Sequence, residues 1–149
     1  MKKLLALFVL TLALVQFVHA ESLGFIDVQK VFLGYKEAQK LSEQFEEKQR
    51  DFKKDYDAKE AEVMKAIREG KSQAEIDKMK ENIKSELEPK QKQLQDFNER
   101  STLKIREEIV KATKDVAKDV GLTMVLDQKV FIIGGLDLTD LVLKKLNKK

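Results

Sequence analysis

The sequence predicts a mainly α protein with a small β base, in which a long antiparallel helical hairpin, a coiled-coil arm, projects from a small β-containing oligomerisation body. Three observations predict it. Residues 28–119 are dominated by Lys, Glu, Gln, Ala and Asp, with Gly70 near the middle. Directly after that glycine, Ser72 and Glu75 stand at the spacing of a capping box, which starts a helix. Short apolar runs bounded by polar or glycine residues lie only at the two ends of the chain, in 22–27 and 120–149.

The first element read along the chain is a strand in Ser22–Asp27. Asp27 is placed to cap the helix that follows, because its carboxylate can accept from free N–H groups of the first turn. Two helices follow, over 28–68 and 72–119. Gly70 suits the left-handed position that ends the first of them, so the tip lies near 69–72. A connection this short makes the helices antiparallel neighbours. At 1.5 Å per residue they reach roughly 60 and 70 Å. A compact domain of about 130 residues has a radius of gyration near 14 Å, so the hairpin must stand out as an arm.

The apolar pattern along the arm is thin. Tyr35, Ala38, Phe45, Phe52, Tyr56, Val63 and Ala66 fit a heptad-like seam, interrupted by Ser42, Gln49 and Lys59. Ile76, Ile83, Leu87, Leu94 and Phe97 fit its counterpart, interrupted by Lys80, Lys90 and Ser101. Such a stripe zips two helices together but buries neither on all sides. Apolar residues thicken toward Val116 and Val120 as the second helix returns to the base. Pro89 lies inside that helix, where it removes a backbone donor and crowds the preceding turn. A bend tolerated in an exposed arm and a hinge that lets the arm open are its two readings.

Beyond the arm, Leu122–Leu126 reads as a strand, Asp127–Lys129 as a polar turn, and Val130–Ile133 as another strand ended by Gly134-Gly135. Asp137 then caps a short helix running to about Leu146. Residues 21–27 and 120–149 together form the body. Three short strands and one helix cannot bury Phe25, Ile26, Val125, Leu126, Phe131, Ile132 and Ile133, so these are the expected oligomerisation residues.

The N-terminus has the order of a secretory signal peptide. Met1-Lys2-Lys3 is positive, Leu4–Val15 is apolar apart from Thr11, and Val18-His19-Ala20 offers a cleavage site. The apolar run is shorter than the about 20 residues that span a bilayer, which argues against an uncleaved anchor. No cysteine stands near the site, which argues against a lipid anchor. Export with cleavage after residue 20 gives a mature chain from Glu21. Lys2 and Lys3 leave with the signal, so 29 Lys+Arg and 26 Asp+Glu become 27 against 26, a net charge of +1. A nucleic-acid partner would want a net basic footprint and is not expected.

The one histidine, His19, also leaves, and the chain has no cysteine. Nucleophilic triads and Cys-His pairs are thereby excluded, and zinc loses its main ligands. The acidic residues are spread along solvated helix faces rather than clustered. The chain reads as no enzyme, with no cofactor and no metal.

Gly24-Phe25-Ile26-Asp27-Val28-Gln29-Lys30-Val31-Phe32 and Gly134-Gly135-Leu136-Asp137-Leu138-Thr139-Asp140, with a charged hairpin of this length between them, resemble the Skp (OmpH-like) family of periplasmic chaperones. The resemblance covers essentially the whole mature chain. It implies a homotrimer held by an intersubunit β-body, with three arms around a cavity. It further implies an ATP-independent holdase that binds unfolded outer-membrane proteins in the periplasm and prevents their aggregation. The mature chain is less basic than the family's better-known members, which argues against a role for bulk positive charge. The competing reading is an envelope coiled-coil adaptor or structural spacer, for which an interrupted seam is poorly suited.

A holdase for many clients needs scattered, adaptable apolar contacts. Met64 and Ile67, beside the turn, are the first candidates, followed by Met79, Ile76, Phe52 and Tyr56. Methionine suits adaptable surfaces. The same seam residues also serve to zip the hairpin. Lys65, Arg68 and Lys71 supply tip charge for acidic clients or an anionic membrane surface, or simply form a solvated face.

Overall fold

The computed structural model describes residues 22–148. The expected signal peptide, 1–20, lies outside the described residues. In chain order the elements are β1 (Leu23–Ile26), α1 (Val28–Gly34), α2 (Lys36–Arg68), α3 (Gln73–Asp119), β2 (Met124–Asp127), a 3-10 turn (Gln128–Val130), β3 (Leu136–Asp137) and α4 (Thr139–Leu146). The fold class is the one read from the sequence. Two long helices form the arm, and a small sheet with α4 forms the base.

The start and turn of the arm follow the sequence signals. Asp27 Oδ1 accepts from the Lys30 N–H at 2.8 Å, capping α1. Gly70 has φ +74°, a region where other residues are strained. Ser72 and Glu75 form the reciprocal capping box at the start of α3. That helix then runs unbroken through Pro89.

The first arm helix is not continuous, in contrast to the expectation over 28–68. It breaks at Tyr35, whose backbone is extended at φ −83° and ψ 114°. The break is held by Asn147, beyond the end of α4. Asn147 Oδ1 accepts from the Lys36 N–H at 3.0 Å, and its Nδ2 donates to the Gly34 carbonyl at 2.9 Å. A side chain distant in sequence thus satisfies the groups that an unbroken helix would pair locally.

All three strands are parallel, in the order β2-β1-β3. Parallel neighbours need a crossover, and between β1 and β2 the crossover is the whole arm. Between β2 and β3 the chain must pass across β1. This corrects the strand expected over Val130–Ile133: the segment is the end of a 3-10 turn followed by bends. Phe131 packs on Phe25 with ring centroids 5.3 Å apart, and Gly134 and Gly135 turn the chain at φ +86° and +83°. A Cβ on Gly135 would stand 2.7 Å from the Phe131 ring. Pairing with β1 falls instead to Leu136 and Asp137, opposite Gly24 and Phe25.

The core sits at the root of the arm. Val31, Leu138 and Val142 are fully buried, and Tyr35, Ala38, Ile105, Ile109 and Val116 join them. The base therefore recruits the lower turns of both arm helices, where the apolar pattern of α3 is thickest.

Candidate client-binding and assembly surfaces

A polar ladder crosses the arm alongside its apolar seam. At its root the Tyr35 hydroxyl donates to Glu108 Oε2 at 2.7 Å. Burial, and then that carboxylate, push the tyrosine's pKa up, so the hydroxyl stays a donor. One turn outward Lys104 Nζ donates to Glu37 Oε1 at 2.7 Å, a bond that holds the Glu37 carboxyl below its usual range.

Farther out, two of the lysines that interrupt the seam, Lys59 and Lys90, pair across it. Lys59 Nζ lies 3.1 Å from Glu86 Oε2, and Lys90 pairs with Asp55. Lys48 stands 5.3 Å above the Phe97 ring. In each of these three pairs the residue numbers add to 145. The hairpin register is therefore the same on both sides of Pro89, and the proline shifts nothing. Exposed ion pairs contribute little each, about 0–1 kcal/mol, but a displaced register would misplace all of them together.

Near the tip, α2 and α3 leave a trough of about 580 Å³ between them. Its walls are Phe52, Tyr56, Val63, Met64 and Ile67 on one side and Ile83 and Leu87 on the other. Tyr56, Met64 and Ile67 are about half exposed. Phe52 is half-buried and also faces the trough. Met79 is half-buried outside its lining. Ile76, expected among the client contacts, is only 7 % exposed, and Ala66 at the end of α2 is buried as well.

Lys65, Arg68 and Lys71 are exposed at the tip, with Lys65 Nζ 3.8 Å from Glu69 Oε1. Lys80 and Lys84 also line the trough. Lys84 was not singled out in the sequence, although its spacing from Lys80 and its place beside Ile83 and Leu87 are a legible signal.

The base carries the second apolar surface. Ile132 and Ile133 are 101 % and 90 % exposed, and Val130, Leu126 and Met124 are exposed with them. Phe25, Val125 and Phe131 are half-buried. Ile26, expected on this surface, is instead buried against the protomer's own core, because β1 is the central strand and its side chain turns toward α3. A groove of about 800 Å³ beside it is lined by Val28, Phe32, Val110, Leu122, Met124 and Leu126, among others. The sequence reading did not anticipate Val28, Phe32 and Val110 here. Their apolar character amid charged helix was the available cue.

Among the described residues no group of His, Cys, Asp or Glu is arranged to hold a metal ion. No described helix is long and apolar enough to cross a membrane. Polar groups on the arm pair with one another in a ladder, while apolar surface lies open at both ends. Such a molecule is an arm-bearing protein whose open apolar surface lies outside its core. Residues 22–146 match the model of the family described as "Outer membrane protein (OmpH-like)", and the chain belongs to that family. At family level this is a group of periplasmic chaperones for outer-membrane proteins. No curated protein matches the chain.

Proposed function

We propose that the chain is an ATP-independent periplasmic holdase, exported by a cleaved signal peptide, that binds unfolded outer-membrane proteins and keeps them from aggregating. The observation that carries this reading is the placement of apolar surface. It is open at the tip trough and again at the base, at opposite ends of a charged arm. An unfolded β-barrel precursor exposes strand edges and apolar side chains that aggregate. Shallow, mobile contacts such as Met64 and Ile67 hold many such segments weakly and release them without nucleotide.

The base surface supports assembly as a homotrimer. Ile132, Ile133, Met124 and Leu126 form an apolar face too large for one small protomer to leave in water. Joining through the base leaves three arms free. At the tip, Lys65, Arg68 and Lys71 give an anionic membrane surface a cationic contact within about a Debye length, roughly 8 Å.

One experiment tests both parts. A denatured outer-membrane β-barrel protein is diluted into buffer with the mature chain and no nucleotide, and scattering is followed alongside the solution mass of the chaperone. Suppressed scattering and a trimer mass are expected. Unchanged aggregation over a range of trimer excess sinks the chaperone reading in favour of an envelope spacer. A monomer at micromolar concentration sinks the assembly reading.

A further inference from the structure

We infer that the tip trough is a self-contained site for one extended segment that alternates apolar with acidic side chains, so that each arm grips its own segment without help from a second copy. The inference rests on the chaperone reading for its biological setting, but its geometry stands within a single chain.

Three observations carry it. The first is length. From Phe52 to Ile67 the α2 wall spans about 22 Å, which a β-like segment covers with about seven residues. The second is period. Apolar side chains on a helix wall recur at i and i+4, about 6 Å apart, as Phe52 and Tyr56, Val63 and Ile67, and Ile83 and Leu87 do here. Side chains on one face of a strand recur about every 6.7 Å, so each of these pairs takes two successive side chains of one strand face, with Lys59 and Glu60 between the two pairs on α2.

The third observation is charge. Lys80 and Lys84 line the α3 rim one helical turn apart, and neither has an ion-pair partner among the described residues. Lys59, on the trough floor, is already committed to Glu86 and Glu62. Glu60 stands on the opposite wall and Glu88 one turn beyond Lys84 on the same rim, so a carboxylate-bearing guest is favoured beside Lys80 and Lys84 alone. A strand with its apolar residues down in the trough carries its acidic residues at the level of the rim, where the long side chains of Lys80 and Lys84 reach them.

The test is fluorescence anisotropy on the intact mature protein with two labelled peptides, one alternating leucine with aspartate and one alternating leucine with asparagine. The aspartate peptide is expected to bind about threefold to tenfold more tightly at low salt, a preference that fades as salt screens it. K80Q with K84Q should remove that preference, so that the two peptides bind the variant with equal affinity. Y56S, M64S and I67S together should weaken both peptides at least about tenfold. All five positions are exposed enough for helicity to persist, which circular dichroism checks.

Equal affinity for the two peptides overturns the charge assignment, and undiminished binding by the serine variant overturns the trough. A serine variant of lower mass would mean that a second copy occupies the trough. A variant that loses only its binding to phosphatidylglycerol-containing vesicles would mean that lipid does. If the wild type binds peptide but suppresses no aggregation, the chaperone reading fails and the trough survives. If the serine variant binds peptide and suppresses aggregation like the wild type, the trough fails and the chaperone reading survives.

Discussion

The backbone N–H of Asp27 donates to Thr139 Oγ1 at 2.9 Å, joining the two sequence motifs that lie at opposite ends of the arm in sequence. Thr139 is 1 % exposed, and its own hydroxyl and N–H both donate to Asp137 Oδ1. Beside it the Leu138 N–H donates to the Phe25 carbonyl at 2.9 Å, and Lys30 pairs with Asp140 at 2.9 Å. The motifs Gly-Phe-Ile-Asp and Leu-Asp-Leu-Thr-Asp are therefore two halves of one joint, closed only after the whole arm has been made.

Thr139→Val keeps the shape of the side chain and removes the acceptor for Asp27. A part-buried N–H left unpaired costs about 1–3 kcal/mol. Thermal unfolding followed by circular dichroism should show a clear fall in Tm for Thr139→Val and little change for Thr139→Ser. Equal stability of the valine variant would mean that the joint is not closed by this bond.

Tyr35 should behave as the fastening of the arm to its base. Tyr35→Phe removes only the hydroxyl bond to Glu108 and should lower stability by about 1–2 kcal/mol. Tyr35→Ala also empties a buried site and should cost about 3–5 kcal/mol. Urea midpoints for the three proteins give the order. A phenylalanine variant as stable as wild type would show that packing alone holds the root.

Much of this architecture is legible in sequence because it depends on local chemistry. Gly70, Ser72, Glu75 and Asp27 announce the helix ends through bonds made within a few residues. The break at Tyr35 is not legible, because Asn147 satisfies it from the far end of the chain. The apolar run Val130–Ile133 has strand composition, yet the need to cross β1 overrides that propensity, and the pairing goes to two residues beyond the glycines. Ile26 and Ile76 show the same limit for the surfaces. Composition marks them as apolar, but only the packing decides that they face inward. The exposure of Met64 and Ile67 is legible because their positions beside the turn leave few neighbours to cover them.

Stability should fall steeply on acidification. The Asp137 carboxyl is held below its usual range by the Thr139 hydroxyl and then its N–H, Glu75 by its bonds from Ser72, and Glu37 by its bond from Lys104. A carboxyl whose pKa is lower in the folded than in the unfolded state contributes stability that is fully present above the unfolded value. That contribution is lost as pH falls toward the folded value. The window therefore opens near pH 5, as the unfolded carboxyl range is approached, and runs down through the lowered folded values. Tm should hold between neutral pH and about pH 5 and drop below it. The sequence placed Asp137 as the cap of α4, but the N-cap is Leu138, and Asp137 instead accepts from the Thr139 N–H and hydroxyl. Asp137→Ala removes that acceptor, should cost about 1 kcal/mol at neutral pH and should flatten the acid limb. An acid limb unchanged by that substitution would assign the pH dependence to other carboxyls.

Pro89 sits exposed in an unbroken α3, between Lys59–Glu86 on its tip side and Lys90–Asp55 on its base side. Its missing N–H leaves the carbonyl one turn earlier, at Ser85, without a helical partner. Because the flanking ion pairs keep one register, a hinge here must bend the arm without sliding its helices. Pro89→Ala should then stabilise the chain by up to about 3 kcal/mol, and the solvent-facing position of Ser85 keeps the gain toward the lower end. It should also slow amide exchange in residues 80–94 and narrow the distribution of tip-to-base distances measured by spin labels at the tip and base. A stabilised variant with an unchanged distance distribution would leave Pro89 as a tolerated bend. A narrowed distribution with weaker suppression of aggregation would tie arm opening to client capture.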